Sequence, residues 1–204
     1  MLEIILLFLI TYLLAAIPSG YWIGKIFGKD LLAEGSGSTG ATNVLRMVGK
    51  WQAVFVLVFD ILKGFVPIYY AKNLVDYFQN SNNLWLFLLL TFIPILAHSK
   101  SIYIGFRGGK SSATGIGVLF ALNPLVGLIT FAIWGATVFI SGISSLGSIV
   151  AAPLVPIWLW IFDENWAVIG FGVVAFVYIV LIKHRDNIRR LINGKEYSFK
   201  NHKI

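Results

Sequence analysis

The chain has no cysteine among its 204 residues. That absence excludes disulfides, thiolate metal sites, iron–sulfur clusters and a thioester intermediate on the protein, and it leaves the redox compartment unmarked in the sequence. Charge is scarce as well: Asp, Glu, Lys and Arg are 12% of the residues, where about 25% is usual for a soluble domain. With three histidines and nine acidic residues, none of them clustered at ligand spacing, no metal and no cofactor is expected. What is present is apolar. Hydrophobic residues are 58% and aromatics 15%, and the mean hydropathy is +0.83. The expected fold class is an all-α polytopic membrane protein, a single integral-membrane domain over residues 1–204 in which lipid replaces water around most of the surface.

Apolar runs place the helices. Ile4 to Gly24 is 21 residues without a charge, enough at about 1.5 Å each to cross a hydrocarbon core of about 30 Å. A cleaved signal peptide would need a basic start, which Met1-Leu2-Glu3 does not provide. Trp51 to Ala71 is a second span, carrying Asp60 and Lys63, and Leu84 to Ser99 a third, across the polar stretch Lys72 to Asn83. Ser111 to Phe162 holds 52 residues without a charge, about 78 Å as one helix, so it must fold back. Asn123-Pro124 and Ser141 to Ser145 are its natural breaks. A last span, Trp166 to Ile182, precedes a basic tail.

Seven transmembrane helices, some short or broken, are therefore expected. Alternation then gathers segments 25–50, 98–111, 141–145 and 183–204 on one face, and 14 of the 16 Lys and Arg, Lys203 included, fall there. The other face holds Glu3, Asp76, Asp163 and Glu164 with one cation, Lys72. The positive-inside rule then puts the N-terminus outside and the C-terminus in the cytoplasm. The net charge of +7 is explained by topology, so nucleic acid is not an expected partner. Short or broken helices are tolerated where they line a polar cavity, expected here on the cytoplasmic side.

Three polar segments lie on that face. The first, Gly35 to Asn43 with Arg46 three residues on, fits G-x-G-x-x-G, but a membrane helix precedes it where a dinucleotide site needs a strand. Ala41 stands where a nucleotide-binding loop requires Lys. What remains is a set of close-approach glycines, hydroxyls and an Arg suited to an anion such as phosphate; a flexible solvated loop is the bland alternative. The second, Arg107 to Gly115 after His98, ends like a nucleotide loop at Gly109-Lys110-Ser111, yet Ile104 occupies the position of the first Gly. Its glycine pair, two cations and hydroxyls again suit phosphate oxygens, or a simple positive-inside anchor. The third is Lys183 to Leu191, where His184 and Asn187 share a face on a continuing helix. It reads equally as a headgroup anchor, with His184 capping the helix end. Asp60 and Lys63, at i,i+3 inside a span, form either a structural ion pair or a catalytic one.

Taken together, the segments resemble the bacterial glycerol-3-phosphate acyltransferases of the PlsY family, which use acyl phosphate. Gly35 to Arg46, Asp60-Ile61-Leu62-Lys63-Gly64, Arg107 to Gly117 with Asn123-Pro124, and His184 to Glu196 carry the likeness in order. Departures are Ser38-Thr39 for the usual Asn-Ile, Ala97 before His98 where Gly is common, and Ser99-Lys100-Ser101 for an aromatic-Pro stretch. Ser111 replaces the last Gly of G-G-K-G, and Lys195 a common Thr.

The resemblance implies a seven-helix enzyme of the bacterial inner membrane with its site toward the cytoplasm. Its reaction moves a fatty acyl group from acyl phosphate to the first hydroxyl of sn-glycerol 3-phosphate, giving lysophosphatidic acid and phosphate, the first step of phospholipid synthesis. On this reading His184, Lys110 and Arg46 are the catalytic candidates. Ser36, Gly37, Thr42, Asn43, Gly108, Gly109, Ser111, Ser112, Ser145 and Asn187 join them in binding substrate or phosphate. Asp60, Lys63, His98 and Glu196 are structural or catalytic. The implied partners are the two substrates, the lipid bilayer and the enzyme that makes acyl phosphate. Acyl phosphate is an activated mixed anhydride, so direct transfer without a covalent enzyme intermediate is expected, with His184 or the donor's own phosphate taking the hydroxyl proton. A transporter or channel for an anionic metabolite is the competing reading.

Overall fold

The computed structural model of the chain describes residues 2–74, 84–163 and 166–200. Asp76, Glu164 and Lys203, counted above for orientation, lie outside the described residues. The chain forms two compact units, Met1–Leu122 and Asn123–Ile204.

In the first unit, α1 (Leu2–Ala15) and α2 (Ser19–Ile26) make one apolar run. The uninterrupted helix expected from Ile4 to Gly24 is broken between them. Pro18 has no N–H to give and disfavours helical geometry at Ile17, the residue before it. After a loop come the seven-residue α3 (Ala41–Met47), the long α4 (Lys50–Leu74) and α5 (Leu84–Ser99). A single 3-10 turn, Ile102–Ile104, leads to the short α6 (Ser112–Leu122). Helices α4 and α6 touch backbone to backbone: a methyl on Gly64 would collide with the Thr114 carbonyl, and one on Gly117 with that of Ile61. Small residues permit this approach, which is how helices associate where lipid offers no hydrophobic drive. Lys72 donates from Nζ to the Leu122 carbonyl at 2.8 Å, closing the end of α6 with a cation. Leu31, Val44, Ala53 and Val56 form a buried cluster that seats α3 and the loop before it on α4.

In the second unit, α7 (Pro124–Ser141) begins at Asn123, whose Oδ1 accepts from the N–H groups of Leu125 at 3.1 Å and Val126 at 3.2 Å. It ends at Gly142 in the left-handed region, φ 72°. Both expected breaks in the 52-residue apolar stretch thus fall where the sequence places them. Next, α8 (Ser144–Ala151), a 3-10 turn at Ala152–Leu154 and α9 (Val155–Phe162) make one apolar run. Finally α10 (Trp166–Phe176) passes through a π-helical turn, Val177–Lys183, into α11 (Arg185–Ile192), with a bend of 59° at His184.

Among the described residues four apolar helical runs are long enough to cross a membrane, and a fifth if the bent pair is one span. Two shorter apolar helices, Trp85–Ser99 and Ser112–Leu122, accompany them. Trp51, Trp85 and Trp166 stand near the starts of α4, α5 and α10 and are exposed, as interfacial anchors are.

Candidate active site

The first unit assembles two of the three polar segments. Asn43 on α3 is buried, and its amide latches the preceding loop: Oδ1 accepts the Ser36 N–H at 2.9 Å, and Nδ2 donates to the carbonyls of Leu31 at 3.2 Å and Glu34 at 3.1 Å. Gly35, at φ 64°, leaves no room for a side chain beside that amide oxygen. With both amide hydrogens taken, Asn43 shapes the loop, while Ser36 and Gly37 form its exposed rim and Thr42 and Arg46 are half-buried on α3.

The second segment is built around His98, buried at the end of α5. Gly108 and Gly109 wrap the histidine so closely that a methyl on Gly109 would fall on its imidazole and one on Gly108 on its carbonyl. The Gly109 N–H donates to that carbonyl at 3.2 Å. This clasp delivers Lys110, half-buried, to the mouth of α6, where Ser112 is likewise half-buried. Ser111 sits between them at φ 66°, a conformation that costs an L-residue energy and suits Gly. That backbone suits the glycine of the G-G-K-G pattern that this segment resembles. Here the Ser hydroxyl compensates by donating to the Ile95 carbonyl at 2.6 Å, and its own carbonyl accepts the Gly115 N–H at 2.8 Å to start α6.

Asp60 ties His98 to α2 and α4. Its Oδ1 lies 2.8 Å from Lys63 Nζ, accepts the Ser19 hydroxyl at 2.8 Å and is 3.7 Å from His98 Nδ1. Lys63 also donates to the Ile17 carbonyl at 2.9 Å, at the break between α1 and α2. Asp60 and Lys63 are both buried, so the pair knits α2, α4 and α5 behind the glycine clasp.

In the second unit the third segment gathers around Glu196. Its carboxylate accepts from Arg190 Nε at 2.7 Å, Asn187 Nδ2 at 2.7 Å and Ser145 Oγ at 3.0 Å. Burial works against the charged carboxylate, but these three donors outweigh it and hold the Glu196 pKa below the usual range. His184, buried at the bend, has Nδ1 2.8 Å from the Ile179 carbonyl. It caps the helical segment before it, which agrees with the capping alternative, and the helix bends by 59° rather than continuing straight into α11. Ser145, His184, Asn187 and Glu196 thus belong to one unit, and Ser36, Arg46, Asp60, His98 and Lys110 to the other.

Ser19, Arg190 and the Ile179 carbonyl were not among the expected site residues. The signal for Ser19 is Pro18-Ser19-Gly20 in the middle of an apolar run, a break that frees polar groups inside a span.

The sequence profile of the glycerol-3-phosphate acyltransferase family matches residues 5–194. A glycerol-3-phosphate acyltransferase of Thermosynechococcus vestitus is 43% identical over 201 residues, covering 94% of this chain and 92% of the relative. One from Desulfotalea psychrophila is 43% identical over 193 residues, covering 94% and 96%. The fold is similar to crystal structures of PlsY, an integral membrane glycerol 3-phosphate acyltransferase. Its glycerol 3-phosphate form has a TM-score of 0.89 at 34% identity, over 97% of this chain and 96% of that one. Its lysophosphatidic acid form has a TM-score of 0.86. A family profile over nearly the whole chain, close relatives of matching length and a shared membrane fold agree: this chain belongs to the glycerol-3-phosphate acyltransferase family.

Proposed function

We propose that this membrane acyltransferase takes its acyl group from acyl phosphate and places it on the 1-hydroxyl of sn-glycerol 3-phosphate, releasing phosphate and lysophosphatidic acid. The observation that carries the reading is the run of family motifs, each held in shape by specific side-chain contacts. The glycine clasp on His98 presents Lys110, and Glu196 holds Ser145, Asn187 and Arg190. Relatives that carry this fold include one crystallised in a glycerol 3-phosphate form and in a lysophosphatidic acid form.

On this proposal Ser36, Gly37, Thr42, Arg46, Gly108, Gly109, Lys110 and Ser112 of the first unit, and Ser145, His184 and Asn187 of the second, bind the substrates. Asn43 and Ser111 hold the backbone that does so. The hydroxyl oxygen of glycerol 3-phosphate bonds to the acyl carbonyl carbon, the bond from that carbon to the phosphate oxygen breaks, and the hydroxyl proton passes to the departing phosphate. Arg46 and Lys110 stabilise the charge gathered there. The leaving group is good and the substrates are positioned, so no protein nucleophile is needed. Seven crossings in the bacterial inner membrane, with the C-terminus and the site on the cytoplasmic side, are proposed from the gathering of 14 of 16 cations on one face. The enzyme that makes the hydrolysable acyl phosphate is the proposed protein partner. Transport of an anionic metabolite is not favoured, because the relatives are named as acyltransferases.

The test is incubation of the purified protein with acyl phosphate and glycerol 3-phosphate, measuring phosphate and lysophosphatidate. Acyl-CoA and acyl carrier protein serve as alternative donors. With acyl phosphate as the only productive donor, phosphate and lysophosphatidate are expected in equal amounts. Product from the other donors only would overturn the donor assignment, and no product with labelled glycerol 3-phosphate accumulating in proteoliposomes would overturn the enzyme.

A further inference from the structure

We infer that the tail residues Ser198 and Lys200 form a positioning strap for the turn that carries Ser145. Helix α7 ends with the Gly142 N–H donating to the Val138 carbonyl at 2.7 Å. The carbonyls of Ile140, Ser141 and Gly142 follow, and a helix offers such terminal carbonyls no donor of its own. The strap supplies donors to them. Lys200 Nζ donates to the Ile140 carbonyl, Ser198 Oγ to that of Ser141 at 3.4 Å, and the Phe199 N–H to that of Gly142 at 2.8 Å. The Lys200 ammonium meets the negative end of α7.

The fit is close. A methyl on Gly142 would meet Ser198 Oγ at 2.7 Å and Lys200 Cγ at 2.9 Å, so the left-handed glycine both ends the helix and admits the tail. Phe139 and Ile140 remain 85% and 73% exposed, so directional bonds rather than burial of those side chains fix the strap. Two residues before it, Glu196 accepts the Ser145 hydroxyl. The short turn from α7 to α8 is therefore tied at both ends by one stretch of tail, at 140–142 by the strap and at Ser145 by Glu196. Ser198 and Lys200 lie beyond residue 194, where the family profile ends, so the strap lies outside the matched core. Its functional consequence rests on the proposal that Ser145 binds substrate. Ser198 and Lys200 act through that residue and touch no substrate themselves.

The experiment uses the full chain carrying Ser198→Ala and Lys200→Met together. The expected result is a KM for glycerol 3-phosphate raised about tenfold, with kcat within about threefold, as for a group displaced by a fraction of an ångström. Hydrogen exchange should quicken over residues 140–147 and stay unchanged over α4. Lys200→Arg, which keeps a cationic donor, should retain the wild-type KM. In a Ser145→Ala background the double variant should add nothing, since the strap acts through that hydroxyl. Unchanged exchange over 140–147, or effects that simply add to those of Ser145→Ala, would overturn the strap. Should Ser145→Ala alone leave KM unchanged, the substrate role of Ser145 fails, and the exchange result still decides the strap.

Discussion

Nδ1 of His184 lies 2.8 Å from the carbonyl oxygen of Ile179, five residues earlier in the π-helical turn. A carbonyl only accepts, so Nδ1 carries the proton, and in the neutral ring Nε2 is the accepting nitrogen. The bend thus fixes both the orientation and the tautomer of the imidazole. That is the state a general base needs, but it is equally the state that accepts a hydrogen bond from a substrate hydroxyl.

If the departing phosphate takes the proton, as proposed, His184→Gln lowers kcat by less than about tenfold and acts mainly on KM for glycerol 3-phosphate. Removing a general base costs about 10²–10⁴-fold. Steady-state kinetics with the purified variant distinguish the two. A loss of kcat in the larger range, with the acid limb of the pH profile abolished, would assign the proton to His184.

The Asp60–Lys63 pair makes a different prediction. Both side chains are almost fully buried, at 2% and 4% exposure, and lie 2.8 Å apart. Asp60→Asn leaves the ammonium without its counter-charge and should destabilise the protein by about 3–5 kcal/mol, whereas Asp60→Leu with Lys63→Met should cost markedly less. Thermal unfolding in detergent measures both. A double variant that folds as stably as wild type yet loses all turnover would move the pair from scaffold to chemistry.

Much of this architecture is legible in the sequence because periodicity and breaks are local. Asn123-Pro124 and Ser141 to Ser145 announce helix ends through Asn, Pro, Gly and Ser, which favour helix boundaries, and the structure ends α6 and α7 there. What is not legible is what each polar side chain bonds to. Asn43 reads as a phosphate ligand from its glycine-rich surroundings, yet its amide latches Leu31, Glu34 and Ser36. Ser19 joins Asp60 across 41 residues of sequence, and no spacing rule reports such a pair. The resemblance points to Glu196, but its three donors, Ser145 at the start of α8 and Asn187 and Arg190 on α11, are brought together only by folding.

Ser111 gives a prediction about a departure from the family pattern. Its left-handed backbone, φ 66°, costs an L-residue about 1–2 kcal/mol, while the hydroxyl bond to Ile95 returns about 1 kcal/mol. Ser111→Gly removes both and should change stability by less than about 1 kcal/mol, with turnover kept. Ser111→Val keeps the strain, loses the bond and adds a branched side chain that this region excludes. It should lose more than about 2 kcal/mol and displace Lys110. Equal stabilities for the two variants would show that the backbone is not strained at this position.

Glu196 contributes a pH dependence to the stability of the second unit. Its burial favours the neutral acid, but the donors Arg190, Asn187 and Ser145 prevail and its pKa lies below the ordinary glutamate value. A carboxylate depressed on folding stabilises the folded state fully above its unfolded pKa, about 4.3. That contribution is lost as the pH falls through the lower, folded value. Glu196→Gln should therefore be less stable than wild type at neutral pH, because Arg190 loses its anionic partner. It should also lack the part of the acid-side decline that Glu196 contributes, so the two stability curves converge as the pH drops below about 4. Unfolding temperatures taken from neutral pH down to the acid limit of solubility test this. Curves that stay parallel throughout would mean that the three hydrogen bonds hold Glu196 equally well when it is protonated, and that its charge contributes nothing to the fold.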